Sequence, residues 1–329
     1  MIIKNRDVPI RLLANEALHR RLSKNHPKRI EIEQDSMKRR AGHRGEIAVD
    51  YFLNYLPKNH FLILQDLRLP IQNNYFQIDT LLLTPRFALI IEVKNITGTL
   101  WFDTTFKQLI RKNADKEDGF SYPITQVKRQ ANLLNAWFHD HKLPPIPIEC
   151  LVVISHSSSI IKTENTFEKK SVQKTVVHAE NCLESINRFN ELHQKEYLTK
   201  SNLNKFTRLL LKHHHPQPVD ILSTYQIEPT MILTGVHCPN CHFLPIQKAS
   251  TKWICQHCHT VSKHAYVGTI QDYFLVLSPT ITNQQCKAFL HLPSSHEAYY
   301  MLKSLNLPTE GKNKGRFYIW DRRSLLLQN

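Results

Sequence analysis

The stretch FQIDTLLLTPRFALIIEVKN, residues 76–95, is the most apolar part of a basic and polar chain. Two apolar runs flank the tripeptide TPR (84–86), a short connection typical of antiparallel strands. The pattern therefore predicts a β-hairpin. Its strands nevertheless carry Asp79, Glu92 and Lys94, although an unpaired carboxylate in an apolar sheet costs roughly several kcal/mol. These three charges need a physical reason.

Strand alternation predicts where the three side chains lie. Alternate residues of a strand share a face, so Glu92 and Lys94 point to the same side, and hairpin pairing brings Asp79 to them near the open end. Two carboxylates beside a lysine suit a hard cation such as Mg²⁺ (or Mn²⁺), which binds one or two carboxylates and takes water and phosphate oxygens as its other ligands. A structural ion pair is the simpler alternative. Glu46, at the start of a predicted helix, is a candidate third carboxylate.

The residues around the hairpin predict an α/β (α+β) domain, in which helices flank a mixed sheet. The predicted helices cover 45–57 and 122–141. The predicted strands cover 60–69, 75–83, 87–95, 97–103, 146–156 and, more weakly, 174–182. The polar residues 104–119 are expected to form a loop or an insertion.

Several ordered motifs carry a family resemblance. The motifs are AGHRGE (41–46), QIDTLLL, IIEVKN, GTL and YPITQ. Together they resemble the nuclease-related domain (NERD) family over about residues 40–155. The spacing Asp79-x12-Glu92-x-Lys94 resembles the PD-(D/E)xK core of restriction-endonuclease-like nucleases, although Ile78 stands where that motif has proline.

This resemblance implies a restriction-endonuclease-like fold and a set of site residues. Glu46, Asp79 and Glu92 would face a catalytic Mg²⁺ or Mn²⁺, with Lys94 as the catalytic lysine and Gln126 facing the site. Next to Gln126 on the predicted helix, Arg129 and Gln130 are candidates for contacting a substrate phosphate.

Four of the seven cysteines form two close pairs, Cys238-x2-Cys241 and Cys255-x2-Cys258. Two such pairs complete a tetrahedral Zn²⁺ site, and four thiolates leave no open position, so the expected zinc is structural. The segments FLPIQ and KWICQ are the expected strands of a zinc ribbon. A redox dithiol is the alternative. The neighbouring His237, His242, His257 and His259 are also metal-binding residue types, but with four cysteines in place none is expected to replace a cysteine.

The C-terminal residues predict two capped helices followed by a basic hairpin. Thr282 caps the first helix, over 283–290, and Ser294 or Ser295 caps the second. This order resembles a winged helix-turn-helix, and the basic residues of the expected wing are Lys312, Lys314 and Arg316. The second helix would lie in the major groove of DNA, and the wing would contact phosphates. A helical packing or protein-binding module is the alternative.

The signals divide the 329 residues into five predicted segments. They are a basic helical N-terminal extension (1–40), the nuclease-like domain (41–185), a helical linker (186–230), the zinc ribbon (231–265) and the winged-helix-like domain (266–329). The linker contains the triple histidine 213–215, for which exposed chain is favoured over a metal tract.

The net charge of +15 favours a polyanionic partner, with nucleic acid ahead of an anionic membrane surface. No secretory leader or membrane-spanning run is evident, so a cytoplasmic protein without a membrane partner is expected. The sequence predicts a metal-dependent DNA nuclease. A catalytically inactive nuclease fold that binds DNA or serves as a scaffold is the alternative, and a regulator that prefers a DNA sequence is a third hypothesis.

Overall fold

The computed structural model of the chain describes residues 1–113, 116–164 and 168–321, except for the side chain of Lys314. The α-helices are α1 (Ile10–Arg21), α2 (Arg29–Leu53), α3 (Pro123–Asp140), α4 (Lys169–Thr175), α5 (Cys182–Leu192), α6 (Lys200–Lys212), α7 (Ile221–Tyr225), α8 (Ala265–Val276), α9 (Asn283–Leu290) and α10 (Ser295–Ser304). Short 3-10 helices cover Ala179–Asn181, Pro229–Met231 and Asn313–Gly315.

The described residues form the following strands, which belong to four sheets. They are β1 (Ile2–Lys4), β2 (Leu62–Ile71), β3 (Asn74–Leu83), β4 (Ala88–Lys94), β5 (Thr99–Asp103), β6 (Gln108–Asn113), β7 (Lys116–Ser121), β8 (Ile148–Ile154), β9 (Ile160–Thr163), β10 (Val176–His178), β11 (Gln247–Ala249), β12 (Lys252–Ile254), β13 (Val261–Ser262), β14 (Thr280–Thr282), β15 (Thr309–Glu310) and β16 (Phe317–Ile319). The mixed α+β class expected from the sequence is confirmed.

The chain divides into two compact units. Unit 1 comprises Met1–Val8 and Arg40–Gln217, and unit 2 comprises Pro9–Arg39 and Pro218–Asn329. The division falls inside α2, whose residues therefore belong to both units.

Unit 1 is built on a six-stranded mixed sheet in the order β1-β2-β3-β4-β8-β10. The pairs β2–β3 and β3–β4 are antiparallel, whereas β1–β2, β4–β8 and β8–β10 are parallel. Alternation along the strands sends Leu81 and Ile90 into a core with α3 and α6, and sends Leu82 and Leu89 into a second core with α2 and α5. The hairpin lies between these two layers.

A second sheet of unit 1 contains the polar stretch 104–119, which was expected to form a loop or an insertion. Its described residues include β6 and β7, so it is an insertion that extends β5 into a mixed sheet of order β7-β6-β5-β9. The pairs β5–β6 and β6–β7 are antiparallel, whereas β5–β9 is parallel. The polar sequence gave no apolar alternation, since β7 is largely exposed on both faces. Apolar periodicity in a sequence arises from burial, so a strand that is exposed on both faces does not show it.

Two boundaries and one short strand differ from the sequence-based prediction. The helix expected to begin at Gly45 begins at Arg29, because α2 continues back through the basic residues before the predicted start. The weak strand expected over 174–182 shrinks to β10, between the end of α4 and the start of α5. β1 was not predicted, since three residues are too few to give a pattern.

The described residues of unit 2 share one apolar core, to which the helices α1, α7, α8, α9 and α10 and the cysteine-rich segment contribute. Buried Trp253 from β12 and Tyr318 from β16 join the same core. Its two small sheets have the orders β11-β12-β13 and β14-β16-β15, and all their pairs are antiparallel. No helix in the described ranges combines the length and apolar character needed to cross a bilayer.

Candidate functional site

β3 and β4 pair as the antiparallel hairpin that the sequence predicted. The ladder ends at the pair Thr80–Ile91, and Asp79 and Glu92 are the next residues on the two strands, close enough for their charges to interact. The backbone N–H of Val93 donates a 3.0 Å hydrogen bond to Oδ2 of Asp79, so this carboxylate is attached to β4. The hairpin therefore brings its two acids together at its open end.

Glu92 is the centre of a polar network inside the sheet–α3 layer. Lys94 Nζ lies 2.7 Å from its Oε1, and Gln126 Nε2 donates to the same oxygen at 2.7 Å. Gln130 Nε2 donates to Oε2 at 2.8 Å, and Lys94 also donates to Gln126 Oε1 at 3.0 Å. The Glu92 residue is only 3% exposed, and a buried charge is tolerated when it is paired and hydrogen-bonded in this way.

Asp79 has a different electrostatic environment. Burial raises its pKa well above the usual range, and the negative charges of Glu92 and Glu46 raise it further. The Val93 N–H and Lys94 oppose this rise without cancelling it. Neighbouring carboxylates that repel one another in a poorly solvated place are a common feature of functional sites.

Glu46 reaches the same end of the sheet from α2, on the face opposite α3. Close contact of this helix with the strands depends on Gly45, because a Cβ there would lie 2.5 Å from Asn95 Cβ and 2.6 Å from Ser155 Oγ. Asn95 secures the contact with a 2.6 Å hydrogen bond from its Nδ2 to the carbonyl of Ala41. Burial raises the pKa of Glu46, and the neighbouring guanidinium of Arg6, 2.8 Å away, acts in the opposite direction.

We call Glu46, Asp79, Glu92 and Lys94 the carboxylate site. Among the described residues, its three acids do not approach one another closely enough to form a compact three-ligand cluster. Mg²⁺ usually keeps several waters and uses only one or two protein carboxylates, so a closed cage is not required. The oxygen donors and the mutual repulsion at Asp79 fit a hydrated divalent cation held mainly by Asp79 and Glu92.

The neighbouring residues of α3 do not all lie where the sequence suggested. Gln126 contacts both Glu92 and Lys94, in keeping with its expected position facing the site. Gln130, a candidate for phosphate contact, is instead buried against Glu92. Arg129 is exposed on the outer side of the helix.

Sequence reasoning missed two polar residues of this region, Arg6 and Asp50. Arg6 lies far from the recognisable motifs, in a segment classified only as a basic extension. Asp50 lies one helical turn after Glu46, and that i,i+4 spacing was the available signal for a shared face. The two residues form a 2.7 Å ion pair beside the carboxylate site.

A second candidate site lies in unit 2. One ligand atom from each of Cys238, Cys241, Cys255 and Cys258 lies within 4.8 Å of the other three. The sulfurs of Cys238 and Cys258 are 3.5 Å apart, and those of Cys241 and Cys255 are 3.6 Å apart. This four-cysteine cluster is the only such group of at least three ligands in the described part of the chain, and it suits tetrahedral Zn²⁺.

The strands beside this cluster differ in part from those expected. β12 falls within the predicted KWICQ segment, but the first strand begins at Gln247, after most of FLPIQ. Residues 243–246 precede β11 and are not part of a strand, and the exposed ring of Phe243 stacks on His257.

The C-terminal elements follow the predicted order. Thr282 caps α9 through a capping box with Gln285, and the Ser294 side chain accepts the Glu297 N–H at the start of α10. β15 and β16 pair beyond α10, and the turn between them contains exposed Lys312. Arg316 is partly buried, whereas the side chain of Lys314 lies outside the described part of the structure.

Comparisons with known proteins agree with this geometry in unit 1. No curated protein and no solved structure matches the chain. A family model matches residues 41–155, the segment that contains α3, the β3–β4 hairpin and all four residues of the carboxylate site. That model is the nuclease-related domain, NERD, and it indicates a nuclease-related function for this segment.

Proposed function

We propose that the chain is a metal-dependent nuclease that hydrolyses phosphodiester bonds of DNA. The observation that carries this proposal is the meeting of Asp79, Glu92 and Lys94 at the open end of one hairpin. This hairpin lies inside the segment that matches the nuclease-related domain. The net charge of +15 supports a polyanionic substrate.

The residues of the carboxylate site have distinct proposed roles. Asp79 and Glu92 bind Mg²⁺ or Mn²⁺, with Glu46 as a third acid; the bound cation supplies Lewis acidity and activates water. Lys94 stabilises negative charge that develops on the phosphate oxygens. Gln126 contacts both Lys94 and Glu92, so it holds the ammonium group beside the carboxylate before substrate arrives.

Unit 2 is proposed to grip the nucleic acid. The four-cysteine cluster holds structural zinc, and α9, α10 and the β14-β16-β15 sheet act as a winged helix. The element order and the exposed Lys312 between β15 and β16 support this role. In unit 1, Arg129 is exposed on the helix that carries Gln126, and it is proposed to contact a substrate phosphate.

A cleavage assay tests the enzymatic proposal. The purified protein is incubated with DNA and RNA, single- and double-stranded, with Mg²⁺ or Mn²⁺. We expect DNA cleavage that Glu92→Ala abolishes and Lys94→Ala slows by about 100-fold or more, the typical cost of removing a transition-state donor.

Glu149→Gln is the matched control. Glu149 is a carboxylate on β8 that pairs with His193. Its strand partner on β4 is Leu89, three positions away from Glu92. Glu149→Gln should leave cleavage unchanged. Equal cleavage by the wild type and by both site variants would refute the assignment.

A second candidate function is a nuclease fold that binds DNA without cutting it. The specific observation in its favour is the saturation of Glu92 by Lys94, Gln126 and Gln130. Such a network is also what a structural ion pair would need. This candidate predicts salt-sensitive DNA binding without cleavage under any divalent metal.

A further inference from the structure

Contacts outside the carboxylate site already hold Arg6 in place within unit 1. Its side chain is only 4% exposed. Nε lies 2.7 Å from Asp50 Oδ2 and Nη2 lies 3.1 Å from Asp50 Oδ1, so the guanidinium forms a two-pronged pair. Its backbone N–H donates to Gln65 Oε1 at 2.8 Å, which fixes the main chain against β2.

The same guanidinium also contacts two residues of the carboxylate site, one through its side chain and one through its backbone. Nη1 donates to Glu46 Oε2 at 2.8 Å. Nη2 donates to the carbonyl of Asp79 at 3.0 Å and to Thr80 Oγ1 at 2.9 Å. Arg6 therefore links the side chain of Glu46, on α2, to the backbone of β3 at Asp79 itself.

This link joins residues on two different elements. Glu46 is on α2, which packs against the Leu82 and Leu89 face of the sheet, whereas Asp79 is on β3. The planar fork of arginine is suited to bridging several oxygens at once, which a lysine ammonium does poorly. Groups that orient metal ligands typically affect metal affinity by about 10- to 100-fold when they are changed.

We propose that Arg6 is a positioning residue of the carboxylate site. It fixes the Glu46 carboxylate relative to Asp79, so that both serve one divalent cation. Arg6 lies outside the 41–155 match, so the N-terminal segment completes a site whose other residues lie within the nuclease-related domain. This inference rests on the proposed function and deepens it.

The test is the affinity of the full-length, zinc-loaded protein for Mn²⁺, measured without nucleic acid by electron paramagnetic resonance. We expect Arg6→Lys and Arg6→Ala each to weaken Mn²⁺ binding by about tenfold or more. Arg68→Lys is the matched control, because Arg68 lies on β2 with its guanidinium over the Tyr75 ring and bonded to the His215 carbonyl. It should bind Mn²⁺ as the wild type does.

A second measurement separates positioning from general stability. Circular dichroism and zinc content should stay at wild-type values in Arg6→Lys, and Arg6→Lys combined with Glu46→Gln should bind no more weakly than Glu46→Gln alone. Unchanged or tighter Mn²⁺ binding in both Arg6 variants would overturn the proposal, because it would make Arg6 a bystander or a competing cation.

Glu92→Gln identifies the site that is being measured. Loss of Mn²⁺ binding in this variant together with normal binding in the Arg6 variants contradicts only the role of Arg6. Mn²⁺ binding that Glu92→Gln leaves unchanged contradicts the metal site of the proposed function, and the role of Arg6 with it.

Discussion

Asp79 and Glu92 are neighbours with opposite electrostatic situations. Glu92 is surrounded by donors from Lys94, Gln126 and Gln130, whereas Asp79 takes one hydrogen bond from a backbone amide and is repelled by two carboxylates. The fold therefore stabilises the charge of Glu92 and disfavours that of Asp79, which we propose is stabilised by a divalent cation. Functional sites commonly cost stability in this way.

The loss of stability caused by ionised Asp79 should depend on pH. Because the folded pKa of Asp79 is raised, its favourable contribution is complete below the usual aspartate pKa and is lost as pH rises through the raised value. Ionised Asp79 therefore destabilises unit 1 at high pH. Without divalent metal at pH 8, we expect Asp79→Asn to stabilise β3 and β4 by about 1–2 kcal/mol.

Hydrogen exchange of peptides from β3 and β4 measures this gain within unit 1. The gain should shrink as the pH is lowered towards the usual aspartate pKa, because the wild-type carboxyl then takes up a proton. Added Mg²⁺ should stabilise the wild type but not Asp79→Asn. A gain that is independent of pH would contradict the electrostatic explanation.

At the scale of elements, α2 determines how near Glu46 comes to the hairpin. Two glycines of this helix have opposite surroundings: a Cβ at Gly45 would overlap Asn95 and Ser155, and a Cβ at Gly42 would meet nothing within 4 Å. Glycine is therefore needed at position 45 for close helix–strand contact. At position 42 glycine only weakens the helix.

The matched pair Gly45→Ala and Gly42→Ala tests this difference. We expect Gly45→Ala to destabilise the protein by about 1–3 kcal/mol through overpacking. Gly42→Ala should instead stabilise it by about 0.5–1 kcal/mol, because alanine favours the helix. Urea unfolding followed by circular dichroism measures both changes, and equal effects at the two positions would refute the steric account.

At the scale of the whole molecule, 43 Lys and Arg residues outnumber 28 Asp and Glu residues. This excess of positive charge attracts an extended polyanion. The exposed cations Arg129 and Lys312 lie in different units. Phosphate contacts release counterions, so binding through such residues must weaken steeply with salt.

We therefore expect DNA affinity, measured by fluorescence anisotropy in Ca²⁺ buffer, to fall by about tenfold or more between 50 and 200 mM salt. Lys312→Ala should weaken binding about equally for unrelated sequences and reduce the salt slope by about one. Glu310→Gln is a control in β15 that removes no positive charge. A salt-independent affinity, or a loss confined to one DNA sequence, would contradict phosphate contact by Lys312.

The sequence alone determined the hairpin, the shared face of Glu92 and Lys94, the two cysteine pairs and the cap at Thr282. For the second cap it left Ser294 and Ser295 open, and the structure shows Ser294. These features depend on near neighbours or on a fixed period, so local spacing records them. It did not reveal β6 and β7, whose mainly polar residues show no apolar alternation, or the burial of Gln130 against Glu92.

Only the tertiary structure decided that Arg6 joins Glu46 to Asp79. The contacting residues are separated by 40 and 73 positions, and no local pattern records which distant side chain fills a buried gap. The physical reason is that a buried carboxylate requires a partner, whereas the sequence position of that partner is set by how the sheet and α2 pack. The sequence therefore predicted the acids Glu46 and Asp79, but it did not predict that Arg6 links them.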